Sequence, residues 1–214
     1  MIELYGYWRS TAAYRVRIAL NLLNIEYQSI SVHLVKDGGE QHQPMYDALN
    51  PAHLVPALVD GDLELTQSLA IIEYLDERYG QYTLVPQDVA DKAMVRSMSQ
   101  DIACDIHPIN NLRVVQHLAD MASFDAHDKV NWMRHWMKKG FDSLERRVGD
   151  FNQPFCFGEQ PSMADICLVA QLYNARRFEL DLSPYPKLID IEQRCLAIEA
   201  FTTAAPEQQH DANT

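Results

Sequence analysis

Basic residues are scarce in this sequence. Lys and Arg number 18 against 30 Asp and Glu, which leaves a formal net charge of −12. Nucleic acids and anionic membrane surfaces both call for a cationic footprint, so neither is an expected partner. A small anionic ligand still fits where local cations oppose the overall field. Cysteine is also sparse. Cys104, Cys156, Cys167 and Cys195 have spacings that match neither a zinc site nor a C-x-x-C redox pair. They read as reduced, mostly buried thiols of a reducing compartment, and the cytoplasm is the expected location. No apolar run approaches the length of a membrane span. The N-terminus has no basic segment followed by an apolar run, so no signal peptide is expected. His117, His127 and His135 are too widely spaced for one local metal site, so no metal is expected. No internal repeat or low-complexity tract appears.

What is present centres on the stretch from Trp8 to Arg17. An apolar strand, Ile2 to Tyr7, runs into it, and an amphipathic helix leaves it. From Ala12, apolar residues recur at Val16, Ala19, Leu20 and Leu23, one face of a 3.6-residue period. Ser10 and Thr11 stand between strand and helix, where hydroxyls serve as N-caps. A helix N-terminus with free N–H groups also attracts an anion. From these ten residues alone, capping is the better reading.

The chain then alternates. Residues 27–32 predict a second strand, and the paired Gly38-Gly39 a loop. A short helix is expected near Met45–Leu49, ended by Asn50-Pro51. Residues 55–59 predict a strand, Asp60-Gly61-Asp62 a hairpin, and Leu63-Glu64-Leu65 the returning strand. Thr66-Gln67-Ser68 opens a helix carrying Leu69, Ile72, Leu75 and Tyr79 on one face. A proline opening a central strand is awkward, so a cis Val55-Pro56 peptide is expected, turning the Val55 backbone outward to pair with an extended ligand. Residues 81–88, with Pro86, read as a linker. Beyond them the pattern is helical: 92–121 with a break at His107-Pro108, then 129–148. A further helix is opened by Ser162 with Asp165 three residues on, a capping-box arrangement. A last helix spans 188–198, and the polar tail from Thr202 is expected to be poorly ordered.

Several motifs together resemble the zeta class of glutathione transferases, which includes maleylacetoacetate isomerases and the related maleylpyruvate isomerases. The most specific is Arg9-Ser10-Thr11-Ala12-Ala13-Tyr14-Arg15-Val16-Arg17-Ile18-Ala19-Leu20. It is similar to a zeta signature of Ser-Ser-Cys, a spacer, an aromatic residue, then Arg-Val-Arg-Ile-Ala-Leu. Lys36-Asp37-Gly38-Gly39, residues 67–75 and Asn174-Ala175-Arg176-Arg177-Phe178 also fit. Residues 105–113 look nearer the maleylpyruvate isomerase branch. Thr11 and Ala12 depart from the signature's second Ser and its Cys, and Leu54 replaces a polar residue.

The resemblance implies an α/β thioredoxin-like N-terminal domain (1–80) that binds glutathione, the linker 81–88, and an all-α C-terminal domain (89–214) that binds substrate and ends in a flexible tail. It implies glutathione as a cofactor that is not consumed, a maleyl dicarboxylate as substrate, a role in tyrosine and phenylalanine catabolism, and a homodimer. The reaction it implies is thiolate addition to the cis double bond, rotation, and elimination of the trans product. By the same route Ser10 activates the thiol, with Thr11 either sharing that work or only capping. Ser10, Thr11, Ala12, Gln41, Val55, Gln67 and Ser68 are expected to bind glutathione, as are His107, Asn111 and Arg113. The spacing puts the last three on one helix, His107 and Asn111 on a common face; a buried structural histidine is the other reading of His107. Arg9 and Arg177 are the expected carboxylate clamps, since guanidinium matches a carboxylate with paired donors. Arg9 is also a candidate catalytic residue. Arg176 is expected to face solvent or make an ion pair, and Arg15 and Arg17 to be solvated or dimer-facing. Two rival readings remain, a broad transferase acting on small electrophiles or α-halo acids, and a non-catalytic glutathione-binding scaffold.

Overall fold

The computed structural model describes residues 1–151 and 153–212, with the backbone alone at Phe151. The chain divides into two compact units: Met1–Val85 together with the chain from Leu196 onward, and Pro86–Cys195.

The first unit is built on a four-stranded mixed sheet in the order β2-β1-β3-β4. Strand β1 (Ile2–Gly6) leads into helix α1 (Thr11–Leu22), which returns the chain to β2 (Tyr27–Ser31). The two strands are parallel, with Ile2 opposite Tyr27 and Gly6 opposite Ser31. Two single 3₁₀ turns and the short α2 (Pro44–Leu49) follow. Strands β3 (Ala57–Asp60) and β4 (Leu63–Thr66) then form the expected hairpin, antiparallel to each other and, through β3, to β1. Helix α3 (Ser68–Leu75) follows and runs on into a π turn. The Val55-Pro56 peptide is cis, as the strand-opening proline suggests.

Helix α1 differs from the amphipathic pattern in one respect. Thr11 and every residue from Ala13 to Leu20 are buried, Arg15 and Arg17 included. A helix covered on most faces shows no polar side, so the two arginines are neither solvated nor free to face a partner. Arg15 Nη1 donates to Ser68 Oγ at 3.3 Å. Arg17 donates to two backbone carbonyls, Ala204 O at 2.9 Å and Trp8 O at 3.1 Å.

The linker is tied down. Asp76 is fully buried, and its carboxylate accepts the backbone N–H groups of Thr83, Leu84 and Val85 at 2.8–3.0 Å.

The second unit is helical. Helix α4 (Val89–Gln100) continues through a π turn to Ile106, and a single turn at Pro108–Asn110 precedes α5 (Leu112–Ala122). The break at His107-Pro108 follows from the missing proline N–H. Helix α6 (Ala126–Phe151) is longer than the expected 129–148. A Cβ at Gly140 would stand 2.1 Å from Ile106 Cδ1, so glycine is what lets the π turn pack on α6. Helices α7 (Met163–Arg177) and α8 (Pro186–Leu196) complete the unit.

Asp165 organises the start of α7. It is fully buried and accepts the Cys156 N–H at 2.7 Å and the Ser162 N–H and Oγ–H at 2.8 Å each. The capping box is therefore complete, and it also binds the preceding loop. Burial pushes the Asp165 carboxyl up, and those donors pull it the other way. Burial likewise raises the Cys156 and Cys195 thiols, which makes both inert; Cys167 is buried and Cys104 exposed.

The chain end corrects two expectations. Residues from Leu196 onward belong with the first unit, not with a helical domain running unbroken from 89. Nor is the described tail loose: it forms α9 (Glu199–Thr203) and a 3₁₀ turn at Pro206–Gln208, and Phe201, Ala204, Pro206 and Asp211 are buried. Its polar composition misleads because Tyr14, Arg17 and Asn21 of α1 donate to the tail carbonyls of Phe201, Ala204 and Ala200. Residues 213 and 214 of the expected flexible tail lie outside the described residues.

Removing the Asp165 carboxylate leaves the Cys156 and Ser162 N–H groups buried with no acceptor. Asp165→Ala is expected to cost about 2–4 kcal/mol of stability. The urea midpoint should fall with little change in slope.

Candidate functional site

In the first unit the expected residues gather around two helix starts. Ser10 is the N-cap of α1, with extended backbone (φ −68°, ψ 117°), and its Oγ accepts the Ala13 N–H at 3.2 Å. That bond uses a lone pair, so the hydroxyl proton remains available to donate. Thr11 is buried at the first helical position and is not the cap. Ala12 follows it, half-buried. Arg9 is exposed, with its guanidinium 4.2 Å from the centre of the Trp8 ring.

The loop carrying these residues is pinned from both sides. The Ser10 N–H donates to Tyr7 O at 2.9 Å. Trp8 donates its N–H to Asp211 Oδ2 at 3.2 Å, and its carbonyl accepts from Arg17. The same Asp211 oxygen accepts from Ser31 Oγ at 2.9 Å. Sequence reading missed Asp211 entirely. It stands 203 residues from Trp8 in a stretch with no periodicity, so no local signal marks it.

The second helix start is that of α3. Gln67 is its N-cap, exposed, with a positive φ of 71° and no side-chain cap bond. Ser68, an expected glutathione ligand, occupies the first helical position and accepts from the buried Arg15. An uncapped helix N-terminus with a guanidinium behind it is a suitable place for a carboxylate.

Between these helices in sequence lie Gln41 and Val55. Gln41 is buried, its Nε2 donates to Leu34 O at 3.4 Å, and its Oε1 has no hydrogen-bond partner among the described residues. Gly39 makes room for it: φ is +103°, and a Cβ there would fall 2.4 Å from Gln41 Nε2. Val55 is half-buried against a cluster of Val32, Tyr46 and Ala57, immediately before the cis proline. Two residues ahead of Val55 is a histidine pair that sequence reading also passed over. The His53 and His42 rings are 4.8 Å apart, and His53 Nε2 lies 2.6 Å from Asp47 Oδ1. His42 ends a single 3₁₀ turn and His53 sits in an irregular segment, and neither offers a period to read.

A glutathione molecule has a thiol, two carboxylates and two amides. The first unit offers a hydroxyl at one helix start, an uncapped second helix start and an unpartnered buried amide oxygen. These groups fit such a ligand.

In the second unit the expected trio does not share a helix. His107 follows the π turn, half-buried, and Asn111 is the N-cap of α5, accepting the Arg113 N–H at 3.2 Å. Pro108 breaks the helix between them, so the common face vanishes. Arg113 is exposed in the first turn of α5. Arg177 is the last residue of α7, exposed, with its guanidinium 5.1 Å from the centre of the Phe178 ring. Arg176 makes the ion pair expected of it, with the buried Glu192.

Comparisons with known proteins identify the family to which this fold belongs. Residues 4–83 match the family of glutathione S-transferase N-terminal domains, and residues 137–194 that of glutathione S-transferase C-terminal domains. A probable maleylacetoacetate isomerase of Vibrio cholerae is 52% identical over 209 residues, covering 98% of this chain and 97% of that protein. The holo structure of a maleylpyruvate isomerase, a bacterial zeta-class glutathione S-transferase, superposes with a TM-score of 0.94 at 40% identity, over 98% of this chain and 99% of the other. A maleylacetoacetate isomerase of Methylobacterium extorquens AM1, with bound malonate and glutathione, also gives 0.94, at 38% identity over 99% of this chain and all of the other. Across both of its units, this chain belongs to the glutathione S-transferase family and, within it, to the zeta class.

Proposed function

We propose that this protein is a glutathione-dependent cis–trans isomerase of a maleyl keto acid, with maleylacetoacetate as the first choice and maleylpyruvate as the close alternative. The names of its relatives support the substrate class, and the 52% identical relative favours maleylacetoacetate. The structural observation that carries the reading is the Ser10 hydroxyl, half-exposed at the start of α1 with its proton free to donate. The protein serves the cytoplasmic breakdown of tyrosine and phenylalanine and works as a homodimer. A monomer by light scattering at micromolar concentration would contradict that assembly.

In this reading the first unit holds glutathione through Ser10, Thr11, Ala12, Gln41, Val55, Gln67 and Ser68. His107, Asn111 and Arg113 of the second unit contribute to the same ligand. When bound, glutathione supplies a thiolate that adds to the cis double bond, lets it rotate as a single bond, and leaves again with the trans isomer. Ser10 keeps that sulfur ionised. An ordinary thiol has a pKa of about 8.5, and lowering it by about two units takes roughly 2.7 kcal/mol. One hydroxyl hydrogen bond to a charged acceptor contributes about 1.5–3 kcal/mol. The positive end of α1 adds about 0.3–1 kcal/mol. Together these suffice without a general base. Arg9 and Arg177 take the substrate carboxylates, as forked donors.

Ser10→Ala should raise the pKa of the bound thiol and slow turnover near neutral pH, with partial recovery under alkaline conditions. Thiolate absorbance measured against pH checks this, and an unchanged titration would move the role to Thr11. Arg177→Met removes one charge-assisted hydrogen bond, worth about 1.5–3 kcal/mol, while its apolar stem keeps the packing. The kcat/KM for the maleyl keto acid should then drop by roughly ten- to a hundredfold. Conjugation of a neutral benzyl halide should barely change. Equal losses on both substrates would mark Arg177 as structural and favour a general transferase.

A further inference from the structure

Helix α7 ends at Arg177 in a tight turn. The Leu180 N–H donates to Ala175 O at 3.0 Å, and the Glu179 N–H donates to Arg176 O at 2.9 Å. This pair of bonds closes a helix around one residue in the left-handed region. Here that residue is Glu179, with φ at +52°. Glycine is the usual occupant, because a Cβ is disfavoured in that conformation.

The glutamate supplies something that glycine lacks. Its Oε2 lies 3.3 Å from Nη2 of Arg134 on α6. The same guanidinium donates through Nε to the Phe178 carbonyl at 2.6 Å. One rigid fork therefore holds both residues that follow Arg177. On the preceding side, Arg176 is tied to Glu192 of α8. Arg177 is thus bracketed by two anchors on different helices. Its guanidinium also lies over the Phe178 ring, and Arg134 holds the backbone of that residue.

Stability does not explain the choice of glutamate. The Glu179 side chain is 86% exposed, and ion pairs so open to water contribute little. A left-handed glutamate is itself unfavourable. What the fork provides is placement.

We propose that Arg134 is a positioning residue for Arg177: by gripping the Phe178 carbonyl and the Glu179 carboxylate, it sets the direction in which the Arg177 guanidinium meets a substrate carboxylate. This rests on the reading of Arg177 as a carboxylate clamp. Arg134 spends its donors on Phe178 and Glu179, so its loss should act on dicarboxylate recognition through Arg177.

The test measures Arg134→Met, Arg177→Met and the double variant with maleylacetoacetate, with malonate as a competing dicarboxylate. Arg134→Met should raise KM and the malonate Ki roughly three- to tenfold, with kcat held within about twofold. Glutathione affinity, read by fluorescence, should stay at the parent value. In the Arg177→Met background the same change should add less than about 1.5-fold, because nothing is left to position. Glu179→Gly is the second variant. It suits the left-handed backbone, so it folds even where Arg134→Met does not, and it should raise KM about two- to threefold with no loss of thermal stability. If Arg134→Met multiplies KM by the same factor with and without Arg177, the proposal is overturned while the clamp stands. The same holds if Arg177→Met raises KM and neither Arg134→Met nor Glu179→Gly does. If Arg177→Met leaves KM unchanged, the clamp reading fails and the proposal fails with it.

Discussion

Arg17 joins two parts of the chain that are far apart in sequence. Its Nη2 holds the Trp8 carbonyl, in the loop that presents Arg9 and Ser10, and its Nε holds the Ala204 carbonyl beyond α9. A buried guanidinium is costly unless its donors are met, and backbone carbonyls meet them without adding an opposing ion. The tail is therefore part of the first unit's structure. Asp211 completes the link by accepting from Trp8 and Ser31. The loop before α1 is thus held by a helix residue on one side and by the end of the chain on the other.

The second unit uses the same device with donor and acceptor exchanged. Asp165 is a buried carboxyl group met by N–H and O–H donors from Cys156 and Ser162. In the first unit Asp76 does the equivalent for residues 83–85. In each case one ionisable side chain replaces the secondary structure that an irregular segment lacks. Glycine serves this scheme at two points, letting Gln41 fold back over Gly39 and α6 approach Ile106 at Gly140. The loop before α1, residues 83–85 and the start of α7 are each tied down in this way. An active thiol and a planar carboxylate clamp both depend on such fixed geometry.

Local chemistry was legible wherever a short stretch carries its own reason. The β1–α1 unit, the Asp60-Gly61-Asp62 hairpin, the cis Val55-Pro56 peptide and the Ser162–Asp165 capping box are all set by residues within a few positions of one another. So were Ser10, Gln41, Val55, Gln67 and Arg177 as candidates, through motifs that resemble the zeta class. Errors arose where a residue's surroundings come from elsewhere in the chain. Arg15 and Arg17 look like a solvated face until α3 and α9 cover them. His107 and Asn111 share a helical period on paper, and Pro108 cancels it.

By itself the sequence determined the order of the elements, the α/β-then-helical division and the family, because periodicity, turn chemistry and motif identity are short-range properties. Only the tertiary structure decided the fate of the tail, the burial of two arginines, the Asp211 contact with Trp8 and the grip of Arg134 on the end of α7. Those are pairings across 44 to 203 positions. They depend on which surfaces meet after folding, and nothing in the neighbourhood of either partner records it.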